Sequence, residues 1–476
     1  MDVTNIIQDP SHVNTKQAQV EIITVPMIPF HSHLDQLLHF SCLISSSYNI
    51  PVHYATTSTH LRQAKLRFNS QTLLQNPHIH FHELPTPPFL SPPPNPNSSN
   101  KFPSHLQPTF DATKQLRHPM AALLREVSAT SRRVIVIYDA FMACVLQDIT
   151  TLPNVESYLF SPIPAFHDLL RHYLKDDHKS LHFFEELRAI PSVEGRLPPE
   201  FVKLIIPSVD VISLAAGTIY NSCRSIEGSF IDLLAKEVNS RNKQIWAVGP
   251  LFLGTKNARR ESNGQHKCLE WLDKQVQKSV LYVSFGTTTS MADEQIKELA
   301  IGLEKSKQNF IWILRDADKA DIFAGDVKRA QLPKGYDQMV KEFGLIVRDW
   351  APQVEILGHP SIGGFISHCG WNSCSESIAM GVPMAAWPMF GDQPRNAFLV
   401  TNILKVGLAI KTTEQGEEIV TSSTIVGVVK RLMASKEGEE VRKRAEEIGY
   451  AVQQAVKEGG VSRLELDSFV AHITRE

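Results

Sequence analysis

Short runs of β-branched and aliphatic residues alternate along the chain with stretches whose apolar positions recur every three or four residues. The runs predict buried strands and the stretches amphipathic helices; their alternation predicts an α/β fold with parallel sheets. In the first half, Val20–Pro26 reads as a strand. A helix from about His33 to Ser47 follows, with Leu34, Leu37, Leu38 and Cys42 on one face. Ile50–Ala55 is the next strand, then a helix from Ser58 to about Leu66. Ile79–Leu84 and Val134–Tyr138 are further strands, each with a helix to follow. The second half repeats the grammar. Strand Val280–Phe285 leads to a helix over Ala292–Ser306, with Asp293 and Glu294 near its positive end. Strands Phe310–Leu314, Leu345–Arg348, Gly364–Ser367 and Met384–Trp387 come after it. The pattern predicts two doubly wound domains, residues 1–245 and 268–476. A polar, turn-rich connector over 246–267 joins them.

Leu84–Pro103 interrupts this rhythm with eight prolines. A stiff polyproline-like surface loop, a docking segment and a lid beside a ligand are all open readings. Composition narrows the class of protein. Charges nearly cancel, 48 Lys+Arg against 50 Asp+Glu, which leaves no electrostatic footprint for nucleic acid or an anionic membrane. Six cysteines without a CxxC pair suggest reduced thiols in a cytoplasmic protein. The first residues lack the apolar core of a signal peptide, and Val134–Leu146 is too short to span a bilayer.

Several nucleotide and metal signatures are missing. There is no GxGxxG after a strand, no GxxxxGK[ST] and no HExxH, and His31-x-His33 lacks the company a metal needs. No metal and no resident cofactor are expected. The dense region is Trp350–Gln393. There the strand Gly364–Ser367 runs into His368, turns at Cys369-Gly370 and opens a helix at Trp371, with Asn372 and Ser373 in its first turn. Unpaired amides and the helix dipole make that opening a phosphate site. Glu376, one turn further on, suits the two hydroxyls of a ribose. The loop Ser284-Phe285-Gly286-Thr287 adds donors, Trp350 offers a flat face for a base, and Asp392 with Gln393 suits sugar hydroxyls.

Trp350–Gln393 resembles the C-terminal signature box of plant UDP-dependent glycosyltransferases, with WAPQ, HCGWNS, Glu376 and DQ in register. VSFGT at Val283–Thr287 and EWLDKQ at Glu270–Gln275 extend the likeness over the chain. HLDQLLHFS, IPVHYATTSTHLRQAKLRF and RDADKADIF are similar to the zeatin O-glucosyltransferase group of that family. The resemblance implies two facing Rossmann-like domains (the GT-B type) with the active site in the cleft. It also implies a last helix packed back on the N-terminal domain. Trp350 would stack on uracil, with Ala351 and Gln353 beside it. His368, Asn372, Ser373 and Thr287 would hold the diphosphate, with Ser284, Gly370 and Trp371 completing the UDP-sugar surface. Glu376 would grip the ribose, and Asp392 and Gln393 the sugar; a glutamine at that place accompanies glucose, although relatives use xylose.

The same resemblance makes His33 the general base and Asp139 its partner. Asp139 also reads as a helix cap, and His31 and His39 are rival bases. Two positions depart from the family: Ser32 stands for glycine and Asp35 for asparagine. The first is expected to restrict the turn. The second is expected to raise the basicity of His33 or alter acceptor choice. Phe30, Phe89, Phe141, Tyr138, Phe160 and Phe166 are candidates to line an apolar acceptor pocket. The combined expectation is an inverting O-glucosyltransferase that takes glucose from UDP-glucose to a hydroxyl of a small hydrophobic plant metabolite. A zeatin-type cytokinin is the leading acceptor. It should act as a monomer, with no nucleic-acid partner and no membrane insertion. Alternatives are a phenolic, terpenoid or glycoside acceptor, C-glycosyl transfer, UDP-xylose as donor, or a UDP-sugar binding protein that has lost transfer. An NAD(P) oxidoreductase lacks its glycine fingerprint.

Overall fold

Val20, Ile22, Ile23 and Val25 are buried in the first strand, β1 (Val20–Val25), which the helix α1 (His31–Tyr48) follows. The computed structural model describes residues 19–68, 73–74, 76–96, 102–173, 190, 209–240, 242–254, 266–324, 331–411 and 418–476. Residues 255–265 of the predicted connector and residues 97–101 of the proline-rich stretch lie outside them. β2 (Val52–Thr57), α2 (Ser58–Arg67) and β3 (Ile79–Leu84) continue the first half, with β4 (Arg133–Asp139), β5 (Val155–Ser161), β6 (Gly217–Tyr220) and β7 (Gln244–Ala247). These strands form one parallel sheet in the order β3-β2-β1-β4-β5-β6-β7. The second half supplies β8 (Val280–Ser284), β9 (Asn309–Ile313), β10 (Gly344–Val347), β11 (Ile362–Ser367), β12 (Met384–Ala386) and β13 (Gly407–Ala409). Their order is β10-β9-β8-β11-β12-β13, again parallel.

Each sheet reverses its strand order once, between β1 and β4 and between β8 and β11. Crevices open at the carboxyl ends of strands on such switch points. Both switch points feed the same cavity.

The alternation of strands and helices matches the expected fold class, with differences of detail. β5, β6, β7 and β13 escape the sequence pattern. Three of them have only three or four residues, too few for a period to show, and VESYLFS mixes polar with apolar positions on both faces. In place of an α-helix directly after β4, two 3₁₀ turns, Ala140–Val145 and Gln147–Thr151, lead into β5. The C-terminal helix Val461–Ile473 sets Phe469 against Phe40, Tyr158 and Trp246, in the core of the first sheet.

Candidate active site

A cavity of about 440 Å³ lies where the two sheets' carboxyl edges meet. Every residue expected to touch the UDP-sugar stands on its wall, from Ser284 and Thr287 through Trp350 to Asp392 and Gln393. His33, Phe30 and Phe141 face it from the first half.

His33 lies in the first turn of α1, whose start is set by extended backbone at Phe30. Its Nδ1 is 2.6 Å from Oδ2 of the buried Asp139. The other carboxylate oxygen of Asp139 accepts the Phe141 N–H at 3.0 Å and so caps the 3₁₀ turn Ala140–Val145. Asp139 thus meets His33 through one oxygen and caps the turn through the other. A carboxylate on Nδ1 fixes the proton there and leaves Nε2 with its lone pair.

The rival histidines are differently placed. Enclosure, reinforced by the nearby Arg67 charge, pushes His31 down to about 4, and its Nδ1 has no hydrogen-bond partner among the described residues. His39 faces Asp35 at 3.5 Å, one helical turn away, and packs on Phe68. Burial raises the Asp35 carboxyl, but His39, His31 and Arg67 outweigh it and hold the group below its ordinary value. The extra carboxylate thus pairs with His39 rather than His33. Ser32 also departs from expectation. It sits inside the first turn of α1, outside the positive-φ positions, so the loss of glycine restricts nothing there.

On the opposite wall, β11 ends at Ser367, and Cys369 turns the chain with φ 63° while its N–H donates to Ser367 Oγ. Gly370 then begins the helix Trp371–Ala379 with no side-chain cap, leaving first-turn amides available. The His368 ring is wedged between two glycines. A Cβ on Gly286 would lie 2.6 Å from its Nε2, and one on Gly370 would lie 2.5 Å away. Burial brings His368 to about 4, so the ring is neutral near pH 7.

Gln353 Nε2 donates to Glu376 Oε2 at 2.7 Å and to Ser373 Oγ at 3.0 Å, tying two neighbours into one surface. Enclosure pushes Glu376 up to about 8, opposed by the Gln353 bond and helped by Asp35 and Glu355. Burial also raises Asp392, which accepts from Asn396 Nδ2 at 2.6 Å. Gln393 Oε1 accepts the amides of Met389 and Phe390, so its NH₂ is the end left for a ligand. Two residues read as donor ligands hold the halves together as well. Asn372 bonds Gln36 and the Ser32 carbonyl of α1, and Trp371 Nε1 donates to the Asn221 carbonyl at 2.8 Å.

Among the acceptor candidates, Phe89 is not on the cavity wall; it stacks over His60 with centroids 6.1 Å apart. Tyr138, Phe160 and Phe166 are core residues. The wall instead includes Phe102, Phe390, Arg67 and Arg315, which sequence reasoning did not single out. Phe102 lies within the proline-rich stretch, for which a lid beside a ligand is one open reading, and Arg315 within RDADKADIF; no feature of the sequence places either side chain at the cavity. Among the described residues, no three His, Cys, Asp or Glu side chains are placed to hold a metal ion. Nor is any helix among them long and apolar enough to cross a membrane.

Residues 18–253 match the glycosyltransferase N-terminal domain, and residues 248–441 match the family described as UDP-glucoronosyl and UDP-glucosyl transferase. The chain belongs to this family. It is a UDP-glycosyltransferase of the GT-B fold. A zeatin O-glucosyltransferase of Phaseolus lunatus is 48% identical over 464 residues, which cover 96% of this chain and 98% of the relative. A zeatin O-xylosyltransferase of Phaseolus vulgaris is also 48% identical, covering 96% and 99%. Among solved structures, a Phytolacca americana UGT2 complexed with UDP-2fluoro-glucose and pterostilbene aligns with a TM-score of 0.74 at 26% identity. That alignment covers 96% of this chain and the whole of the other. In this transferase the two family domains supply opposite walls of the same cavity: His33, bonded to Asp139, comes from the N-terminal match, and the wall residues from Trp350 to Gln393 come from the second.

Proposed function

We propose that this transferase moves glucose from UDP-glucose to the side-chain hydroxyl of a zeatin-type cytokinin, with inversion at the anomeric carbon. The observation that carries the reading is the 2.6 Å contact from His33 Nδ1 to Asp139, which leaves Nε2 as a base at the cavity. The acceptor oxygen attacks C1 of glucose on the face opposite UDP. Its proton passes to Nε2, the bond from C1 to the diphosphate oxygen breaks, and that electron pair leaves with UDP. Asp139 stabilises the imidazolium that forms. A base so placed contributes ~10²–10⁴-fold.

In this reading uracil lies on Trp350 beside Ala351, and Glu376, oriented by Gln353, takes the ribose hydroxyls. The diphosphate meets the amide end of the helix at Gly370–Ser373, with His368, Ser284 and Thr287. Glucose faces Asp392 and Gln393, and Phe30 and Phe141 give the acceptor an apolar wall. Asp35 is paired with His39 and Ser32 is helical, so neither departure from the family pattern speaks against turnover. All these side chains belong to one chain, so the proposed site needs no second subunit; six buried free thiols support a reducing, cytoplasmic setting.

The two 48% identical relatives are named for zeatin as acceptor and differ in the sugar, so UDP-xylose is the second reading for the donor. Purified protein incubated with each UDP-sugar and trans-zeatin, cis-zeatin, phenols and terpenoid alcohols tests both by product mass. The β-O-glucoside of zeatin is the expected main product. His33→Ala should lose about 10²-fold or more in rate while keeping its UDP affinity. Binding of UDP-glucose with no acceptor glycosylated would convert the reading to a binding protein, and wild-type rates in His33→Ala would remove the base.

A further inference from the structure

Two segments singled out in the sequence, His60–Phe68 within the first and Arg315–Phe323, take no part in the reaction as proposed. The fold brings them together across the cleft. Arg67, at the last turn of α2, donates from Nη1 to Asp318 Oδ2 at 2.7 Å and from Nη2 to Oδ1 at 2.9 Å. Both side chains are only 7% exposed, and Arg315 bonds the same carboxylate. Burial raises the Asp318 carboxyl, but Arg315 and Arg67 together bring it below its ordinary value.

Around this pair the outgoing end of β9 is gripped at several further points. His60 Nε2 lies 3.2 Å from the Ala320 carbonyl, and His105 Nε2 lies 2.9 Å from the Asp318 carbonyl. Ser91 Oγ accepts the Asp321 N–H at 2.9 Å, and the Arg62 guanidinium stands 3.7 Å over the Phe323 ring. Ala320 is fully buried in the core of the first sheet although it follows a strand of the second. The Asp318 N–H donates to the Thr287 carbonyl at 2.6 Å, which ties the grip to the loop after β8. Arg67 and Arg315 also line the cavity.

We propose that Arg67 and Asp318 are positioning residues: a clasp that holds the half carrying His33 closed on the half carrying the UDP-sugar site. The base and the donor stand on different sheets, so the reaction distance is set by how the halves seat. A misplacement of about 1 Å at a reacting pair can cost about 10²-fold. A bidentate arginine–carboxylate pair is short and directional, which suits it to fixing such a seating. Removing Arg67 leaves the buried Asp318 with Arg315 as its remaining cation, so the link between the halves is lost while the carboxylate stays paired.

The experiment compares wild type, Arg67→Ala, Arg67→Lys and Arg62→Ala in three readouts: kcat for glucosylation of trans-zeatin, UDP affinity by calorimetry, and radius of gyration by solution scattering. Arg67→Ala should lower kcat by about tenfold or more and enlarge the particle, while UDP affinity stays within about twofold. Arg67→Lys keeps the charge and should recover part of the loss. Arg62→Ala, on an exposed position, should move kcat and size less but in the same direction. Wild-type kcat and size in folded Arg67→Ala overturn the clasp, as does a fall in UDP affinity that parallels kcat. If Arg67→Ala does not fold, unchanged kcat and size in both Arg67→Lys and Arg62→Ala overturn it. The kinetic arm rests on the proposed activity: a wild type that leaves zeatin unglycosylated sinks that activity, and the scattering arm then decides the clasp alone.

Discussion

Glu376 shows how one side chain's setting changes what it does. Its carboxyl is pushed up to about 8 by enclosure, so it is mostly protonated at pH 7 before a ribose arrives. Two ribose hydroxyls donating to it favour the ionised form, so binding should release a proton. Affinity must then rise with pH up to about 8 and level off above it, by no more than about tenfold per unit. Uridine is the probe of choice because it carries no phosphate to titrate. Calorimetry in buffers of different ionisation enthalpy should show proton release near pH 7, and Glu376→Gln should abolish both the release and the slope. A flat profile in the wild type would take the ribose away from Glu376. His33 makes a related point about partners: of the three histidines in the first turns of α1, His33 has a carboxylate 2.6 Å from Nδ1, His39 faces Asp35 at 3.5 Å, and His31 Nδ1 has no hydrogen-bond partner among the described residues.

At the scale of elements, the junctions between strand and helix carry the site, and each is shaped by a local backbone demand. The turn after β8 holds Gly286 at φ 74°, in a region where a side chain is strained, and a Cβ there would also meet the His368 ring at 2.6 Å. Gly286→Ala should therefore displace His368 and weaken UDP binding by about tenfold, roughly 1.4 kcal/mol, with little change in the melting temperature. An unaltered UDP dissociation constant would show that the ring's position does not matter for the nucleotide. The opening of the helix Trp371–Ala379 was legible in the sequence because Cys369-Gly370 ends a buried strand and no capping side chain follows. The short strands β6, β7 and β13 were not legible, because pairing with a neighbour, rather than their own period, makes them strands.

The whole molecule is held by contacts that no window of sequence displays. Phe469 of the C-terminal helix completes the aromatic cluster of Phe40, Tyr158 and Trp246 in the opposite half. Phe469→Ala should cost about 3–5 kcal/mol of stability, seen in a denaturant melt, because it opens a cavity at a junction that cannot easily collapse. A loss below about 1 kcal/mol would mean that the helix is not part of the folded core. The hydrophobic pattern by itself determined that strands and helices alternate around parallel sheets, since burial on both faces requires near-continuous apolar strands. The box Trp350–Gln393 by itself marked out one cavity wall, since its residues are close in the chain and follow the carboxyl ends of the consecutive strands β10, β11 and β12. The tertiary structure decided the rest. It removed Phe89 from the cavity wall, placed Phe102 and Phe390 on it, and joined Arg67 to Asp318, 251 residues away. Those outcomes depend on which surfaces meet when segments distant in the chain pack together, and local sequence periodicity is blind to that packing.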